Sequence, residues 1–424
     1  MSISPLGRSS VKMITGAAVV RGNGQVTQET VVIEDSRIAA ISPAPPASLL
    51  LNSEDVEIVS GQGCLLTPGL IEQHFHGGFG CHFNQATIAE IHHLLANLPA
   101  FGVTSTLPTV MTAPQMDMLT AVTTLEEVIH LGRPKQSRIL GLHLEGPFLN
   151  PDYRGAHPLE DLLPPTVDAM RSLMSPNLKL VTLAPEMDPK GEVIQFLRER
   201  GIIVSAGHSG ATLQQMEWAI RRGVTGVTHL FNAMCPFHHR EPGLVGAALN
   251  RDELIAEIIG DGFHVSPEAI RMALRAKSFE NMILISDCLP LSGLPENTTI
   301  EFGKQPITNR QGRAVNPDGN LAGGTLFLNE CFKNMVRWGL LPPHEAVQMA
   351  SSVPADFLGV GHELGRIETG YLADLVLWDL KALTVQSTWI DGELVYQRPQ
   401  PQALEPPRQQ SLQQASLPEA HSNA

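Results

Sequence analysis

The chain has 424 residues, 43% hydrophobic and 17% charged, enough for one large core plus a smaller module. Its formal charge of −14 argues against a nucleic-acid partner held by a general basic field, while leaving room for a small anion held by local cations. Cys64, Cys81, Cys235, Cys288 and Cys331 are scattered, odd in number and form no CxxC pair. They read as free thiols in a reducing cytoplasm rather than a disulfide framework. No apolar run is long enough to span a membrane, and Met1 to Ser10 lacks a secretory apolar stretch.

Residues 11 to about 65 read as β structure. Val31-Val32-Ile33, the turn Glu34 to Arg37 and Ile38 to Ile41 make a hairpin pattern. Near the other end, Ala373 to Trp378 reads as a strand, and Thr384 to Ile390 and Glu393 to Tyr396 flank the hairpin turn Asp391-Gly392. The economical reading is a small β-sandwich module built from both ends, residues 1–65 and 365–397. Between them, residues 66–364 alternate apolar strands with helical patterns. The strand candidates are Leu66–His76, Val103–Val110, Ile139–Glu145, Leu178–Leu183, Ile202–Gly207, Val224–Phe231, Leu254–Asp261 and Met282–Asp287. Eight such strands close a (β/α)8 barrel of the TIM type. Helices are expected over Gln85–Ala100, Ala113–His130, Gly191–Arg200, Leu213–Arg222, Pro267–Ala276, Phe327–Trp338 and Pro343–Phe357. Residues 398–424, rich in Pro, Gln and Ser, read as a disordered tail.

Five of the strand candidates run onto a metal-binding or acid-base residue: His74-Phe75-His76, His143-Leu144-Glu145, Gly207-His208, Thr228-His229 and Ser286-Asp287. Imidazoles and carboxylates gathered at the carboxyl ends of barrel strands mark a hydrolytic metal site. Alternation puts His74 and His76 on one side of their strand; the pair suits one ion, or two ordinary histidines by a glycine loop. Glu145 is costly to bury unless paired with a cation or a metal. His143 orients a ligand or is simply core. His208 and His229 end adjacent strands, so with Glu145 they form a one-carboxylate, two-histidine set with a position left for water. Asp287 suits proton transfer to and from that water, or a turn cap. Asn232-Ala233, Arg240 and His264 lie on loops at the same end, as does Gly319 to Gly324. Arg240 is a candidate anion clamp or a solvated charge, and His264 an oxyanion donor or a structural residue.

At these residues the chain resembles the N-acetylglucosamine-6-phosphate deacetylases of the amidohydrolase superfamily. The likeness rests on His143 to Phe148 with Gly155-Ala156-His157, Thr182 to Glu186, Ser205 to Ser209, Thr228 to Met234 with Arg240 to Gly243, and Asp261 to Val265. It implies a divalent metal, Zn2+ first among candidates, on Glu145, His208 and His229, with a second ion plausible because His74 and His76 are both present. It implies hydrolysis of the acetamide of N-acetyl-D-glucosamine 6-phosphate by a metal-activated water, with Asp287 as general base and then acid, and His264 polarising the carbonyl. Ala156, His157, Asn232, Ala233, Arg240, Leu321, Ala322 and Gly323 are implied to hold the sugar phosphate, Arg240 on the phosphate. A homodimer or larger homo-oligomer is the family's habit. The chain departs in carrying Glu72 where many relatives have Asp, and in Cys288, a thiol whose place beside the site suggests sensitivity to oxidation. The competing readings are a related amidohydrolase acting on another N-acyl amino sugar or a cyclic amide, and a non-catalytic barrel used as a binding module.

Overall fold

The computed structural model describes residues 11–50 and 56–399; the expected tail therefore lies, but for its first two residues, outside the described part. Eight parallel strands follow one another around a barrel: Leu70–Phe75, Val103–Met111, Leu142–Glu145, Leu178–Leu183, Ile203–Ala206, Val224–Val227, Ile255–Ile259 and Met282–Ile285. Each pairs in parallel with the next in the chain. The eighth and first meet at the barrel mouth, where the Asp287 N–H donates to His74 O at 3.0 Å and the His76 N–H to Cys288 O at 2.8 Å. The helices between the strands are locally encoded. Leu213–Arg222, for example, begins in a reciprocal Thr212–Gln215 capping box, ends on left-handed Gly223, and buries Met216 and Ala219.

The barrel interior is layered. Ile71, Leu107 and Leu180 form an apolar floor closed by Ala355 and Leu358. Above it lies a polar layer: His143 bonds Thr109 (3.1 Å) and Thr182 (2.8 Å), Thr182 bonds Thr228 (2.8 Å), and Thr228 donates to Ser205 (2.7 Å). The alternation of side chains along each strand produces this stacking.

The two chain ends do pair. Cys64–Pro68 runs antiparallel to Leu375–Asp379, setting Leu66 opposite Leu377, and all eight outer strands lie in one hydrogen-bonded sheet. That sheet encloses its own core, including Ile14, Val31, Ile33, Leu375 and Trp389. Asp391 and Gly392 are both left-handed, at φ 51° and 73°, the geometry of a tight hairpin turn. Leu66 and Thr67, expected to begin the barrel, belong to this outer sheet; the barrel strand starts only after Pro68-Gly69. Arg138 fastens the sheet to the barrel through Asp374 and Asp391, at 2.7 Å each.

Three further differences stand out. A three-stranded antiparallel sheet, Thr299–Phe302, Gln305–Arg310 and Arg313–Val315, follows the eighth strand where no strand was expected. Gly243–Asn250 is a helix, and the helix expected over 343–357 is two, Pro343–Gln348 and Ser352–Phe357.

Candidate active site and metal centre

The strands end earlier than their apolar runs suggest, because the chain turns at the functional residues. His208, His229 and Asp287 adopt positive φ of 49°, 31° and 47°. A residue with a Cβ pays for that conformation, and such strain gathers where the surroundings force a side chain into a defined place. Here it turns two imidazoles and a carboxylate over the barrel mouth.

Glu145, the last residue of its strand and 2% exposed, lies at the centre. Its Oε1 is 3.0 Å from His208 Nε2 and 3.0 Å from His229 Nε2, and the two nitrogens are 3.1 Å apart. Its Oε2 is 3.2 Å from His76 Nε2 and 3.3 Å from His157 Nε2. The first three atoms are spaced as ligands about 2 Å from one ion must be. Tautomers support that reading. His208 Nδ1 faces Tyr153 O at 2.9 Å; a carbonyl can only accept, so Nδ1 carries the proton and Nε2 presents a lone pair. His157 is the converse. Its Nδ1 accepts the Thr112 N–H at 3.3 Å, so its Nε2–H donates to Glu145 rather than binding an ion. Buried His74 Nε2 and His229 Nδ1 find no hydrogen-bond partner. Two groups, Glu145–His208–His229 and His74–His76–Glu145, have ligand atoms close enough for an ion each. The donor chemistry and the bare nitrogen fit a divalent metal.

Asp287 Oδ1 lies 3.3 Å from His76 Nε2 and 3.6 Å from His74 Nε2. Burial raises its proton affinity, but the facing His76 and His74 outweigh burial and pull the carboxyl down to about 2. It is a carboxylate at neutral pH, ready to take a proton. His264 Nδ1 is 2.6 Å from Asp261 Oδ2. Burial opposes a charge on His264, yet the Asp261 carboxylate overrides it and raises the imidazole above its ordinary value. The expected oxidation sensitivity at Cys288 finds no support: the thiol is buried, and burial pushes it up to about 12, away from the thiolate that oxidants attack.

A cavity of about 300 Å³ opens over these groups. Of the residues expected to hold a sugar phosphate, Ala156, His157, Asn232, Ala233, Leu321, Ala322 and Gly323 line it, as does His264. Tyr153, Met234 and Phe302 complete the wall. His74 lies beneath, and Arg240 is not in the lining: it sits on the exposed hairpin His238–Glu241, its Nη1 3.0 Å from His239 Nε2. A larger cavity, about 390 Å³, lies beside His82, Asp117 and Lys304. It contains neither group of potential metal ligands, so the chemistry belongs to the smaller one.

Residues 65–395 match the amidohydrolase family. The chain belongs to the amidohydrolase family. It is 34% identical over 374 residues to the N-acetylglucosamine-6-phosphate deacetylase of Bacillus subtilis (strain 168), covering 86% of this chain and 92% of that protein. It is also 34% identical to the N-acetylgalactosamine-6-phosphate deacetylase of Escherichia coli O157:H7, covering 85% and 93%. Among solved structures, N-acetylglucosamine-6-phosphate deacetylase from Pasteurella multocida superposes with a TM-score of 0.83 at 30% identity, over 91% of this chain and 99% of that one.

Glu257, Glu186 and Phe302 shape this amidohydrolase site without having been assigned a role from the sequence. Glu257, on the seventh strand, accepts from His74 Nδ1 at 2.9 Å and from Gln73 Nε2 at 2.6 Å. Its signal was the one used for Glu145, a carboxylate inside an apolar strand. Glu186 ties two loops together, accepting from Asn150 Nδ2 (2.8 Å), Ser209 Oγ (2.6 Å) and the Gly210 N–H (2.6 Å). It thereby braces the loop after His208 against the one that carries Tyr153. Phe302 arrives from the unexpected sheet and packs against the His76 ring at 5.3 Å. His143, left open as ligand-orienting or core, bonds two threonines and meets His74 edge-on at 4.7 Å.

Proposed function

We propose that this amidohydrolase hydrolyses the acetamide of N-acetyl-D-glucosamine 6-phosphate, giving D-glucosamine 6-phosphate and acetate. The observation that carries the reading is the convergence of Glu145, His208 and His229 within 3.1 Å of one another, below a cavity that also presents Asp287 and His264. The kinship with sugar-phosphate deacetylases supplies the substrate class.

Glu145, His208 and His229 would hold a divalent ion, and His74 with His76 a second. Zn2+ suits these nitrogen and oxygen donors, and a bound ion supplies Lewis acidity, making water nucleophilic and polarising the carbonyl. Asp287, ionised at neutral pH, takes the proton of the attacking water and returns it to the departing amine, a role an amide demands because its amine leaves poorly. His264, with Nδ1 committed to Asp261, keeps Nε2–H for the oxygen that gains charge in the transition state. Ala156, His157, Asn232, Ala233 and the segment Leu321-Ala322-Gly323 cradle the sugar, and Arg240, beyond the wall, is assigned to the phosphate.

The two chain ends, up to Pro68 and from 365 to 397, form one unit, and the barrel between them is the catalytic one. Five free thiols suit a reducing, cytoplasmic setting, and no helix among the described residues is long and apolar enough to cross a membrane. A homodimer or larger homo-oligomer is the assembly we propose.

The test is acetate release from N-acetylglucosamine 6-phosphate, N-acetylgalactosamine 6-phosphate and unphosphorylated N-acetylglucosamine, with metal content measured on the same sample. Preference for the first supports the assignment. Arg240→Ala should raise KM for the phosphosugar far more than for the free sugar. No release from any of the three by metal-loaded protein sinks the named substrate.

A further inference from the structure

Glu257 lies in Ile255-Ala256-Glu257-Ile258-Ile259, a strand otherwise apolar, and is 2% exposed. Among the described residues no lysine or arginine pairs with it; its ion-pair partner is His74. A buried carboxylate needs a compensating partner, and for Glu257 that partner is His74. Its two oxygens take three donors: Gln73 Nε2 at 2.6 Å, His74 Nδ1 at 2.9 Å and the His229 N–H at 3.3 Å. A carboxylate oxygen accepts from the ring N–H that faces it, so His74 carries a proton on Nδ1. That leaves His74 Nε2 bare, without a hydrogen-bond partner, 3.5 Å from Glu145 Oε1 and 3.6 Å from Asp287 Oδ1. The ring is held with Nε2 aimed between two carboxylates, a setting that suits a cation.

We propose that Glu257 is the positioning residue for the half of the metal centre built on His74 and His76. It fixes the tautomer and plane of His74, and its hydrogen bond to the His229 N–H ties that half to the one built on Glu145, His208 and His229. The proposal rests on the metal-centre reading given above. It concerns an ion's affinity, not the identity of the substrate.

The experiment is Zn2+ binding to the full chain, measured by competition with a chelating dye and by elemental analysis after desalting. It compares the wild type, Glu257→Ala, Glu257→Gln, His74→Ala and the double variant Glu257→Ala/His74→Ala. The wild type should bind two ions. Glu257→Ala should weaken one of them by about 10- to 100-fold, the usual effect of losing a group that orients a ligand, and leave the other nearly unchanged. Glu257→Gln should lose less. Its Oε1 can still accept from His74, and Gln73, whose own Oε1 lacks a partner, can flip to receive the new NH2. In the His74→Ala background, Glu257→Ala should change nothing further, because the residue it positions is gone.

Two wild-type ions with Glu257→Ala binding both normally would overturn the assignment. So would an equal weakening with and without His74, which marks a general structural role. One ion in the wild type overturns it too, while leaving the Glu145–His208–His229 site standing. No ion at all brings down the metal centre itself. Should Glu257→Ala fail to fold, Glu257→Gln decides by the same comparison: weakening that vanishes in the His74→Ala background supports positioning, and weakening that persists overturns it.

Discussion

His264 Nδ1 and Asp261 Oδ2 lie 2.6 Å apart, while Asp261 Oδ1 receives the backbone N–H groups of Phe263 and His264 at 2.8 and 2.9 Å. Both carboxylate oxygens are thus occupied by donors three residues away or fewer. The loop closes on itself, holds the imidazole rigid and favours its protonated form.

This pair gives activity a pH signature. His264 is raised above its ordinary 6.5 and Asp261 is lowered below its ordinary 3.8. A raised histidine contributes stability that is complete below 6.5 and lost as pH rises through its folded value. A lowered aspartate contributes stability that is complete above 3.8 and lost as pH falls through its folded value. The ion pair is therefore fully expressed between those two values. If His264 donates to the substrate as a cation, kcat should fall on the alkaline side as the ring loses its proton. Asp261→Asn should move that alkaline limb to lower pH. Profiles of kcat for the two proteins check this, and coincident alkaline limbs would remove Asp261 from the account.

His208 Nε2 and His229 Nε2 lie 3.1 Å apart beside Glu145, a spacing that suits two ligands of one ion. Dialysis against a chelator should abolish acetate release and lower the melting temperature. A ligand at about a thousandfold its Kd stabilises the state it binds by about 4 kcal/mol, so the melting shift should be large and reversed by Zn2+. Glu145→Ala should melt at the apo temperature whether or not Zn2+ is added. A Zn2+-induced shift in Glu145→Ala equal to that of the wild type would move the ion elsewhere.

The site was legible because chemistry interrupts hydrophobic runs. His208, His229 and Asp287 each end an apolar strand, and the barrel order of those strands brought them together. The left-handed kinks that end the strands were not legible, because no glycine marks them, so the strands were read too long. Glu257 was missed for the opposite reason: the apolar run continues past it through Ile258 and Ile259. Gly243–Asn250 is buried over most of its length, and without a polar face its period carries no helical signal. The sheet over 299–315 has short, half-exposed strands, and its alternation of Ile300 with Phe302 is too brief to stand out. Arg240 lies on the His238–Glu241 hairpin outside the cavity lining, so its assignment to the phosphate rests on its place in the sequence motif.

Asp287 provides the most direct kinetic test of the chemistry. Its replacement by Asn preserves shape but removes the proton acceptor. A positioned acid-base group is worth about 10²–10⁴ in rate, so kcat should fall by that factor with KM and metal content little changed. Acetate-release kinetics and elemental analysis on one preparation separate the alternatives. Metal lost along with activity would make Asp287 chiefly a ligand, consistent with its distance of 3.3 Å from His76 Nε2, and would undercut its assignment as the base.

Stability should hinge on the contact between barrel and outer sheet. Asp374 is 5% exposed and faces Arg138 at 2.7 Å. Burial raises the Asp374 carboxyl above its ordinary value, and Arg138 offsets only part of that rise. Because the folded value is above the unfolded one, the fold favours the protonated carboxyl, and the cost of ionising it appears as pH rises through 3.8 towards the folded value. Arg138→Ala removes the compensating cation and leaves that charge buried, an effect of about 3 kcal/mol near neutrality. In mild acid the carboxyl of the variant takes a proton, and the deficit should shrink. Urea denaturation midpoints of the two proteins, at neutral and mildly acidic pH, read the difference directly. A deficit that stays constant or grows as pH falls would mean that Arg138 acts through packing against Ser105 and the strand edge rather than through the charge on Asp374.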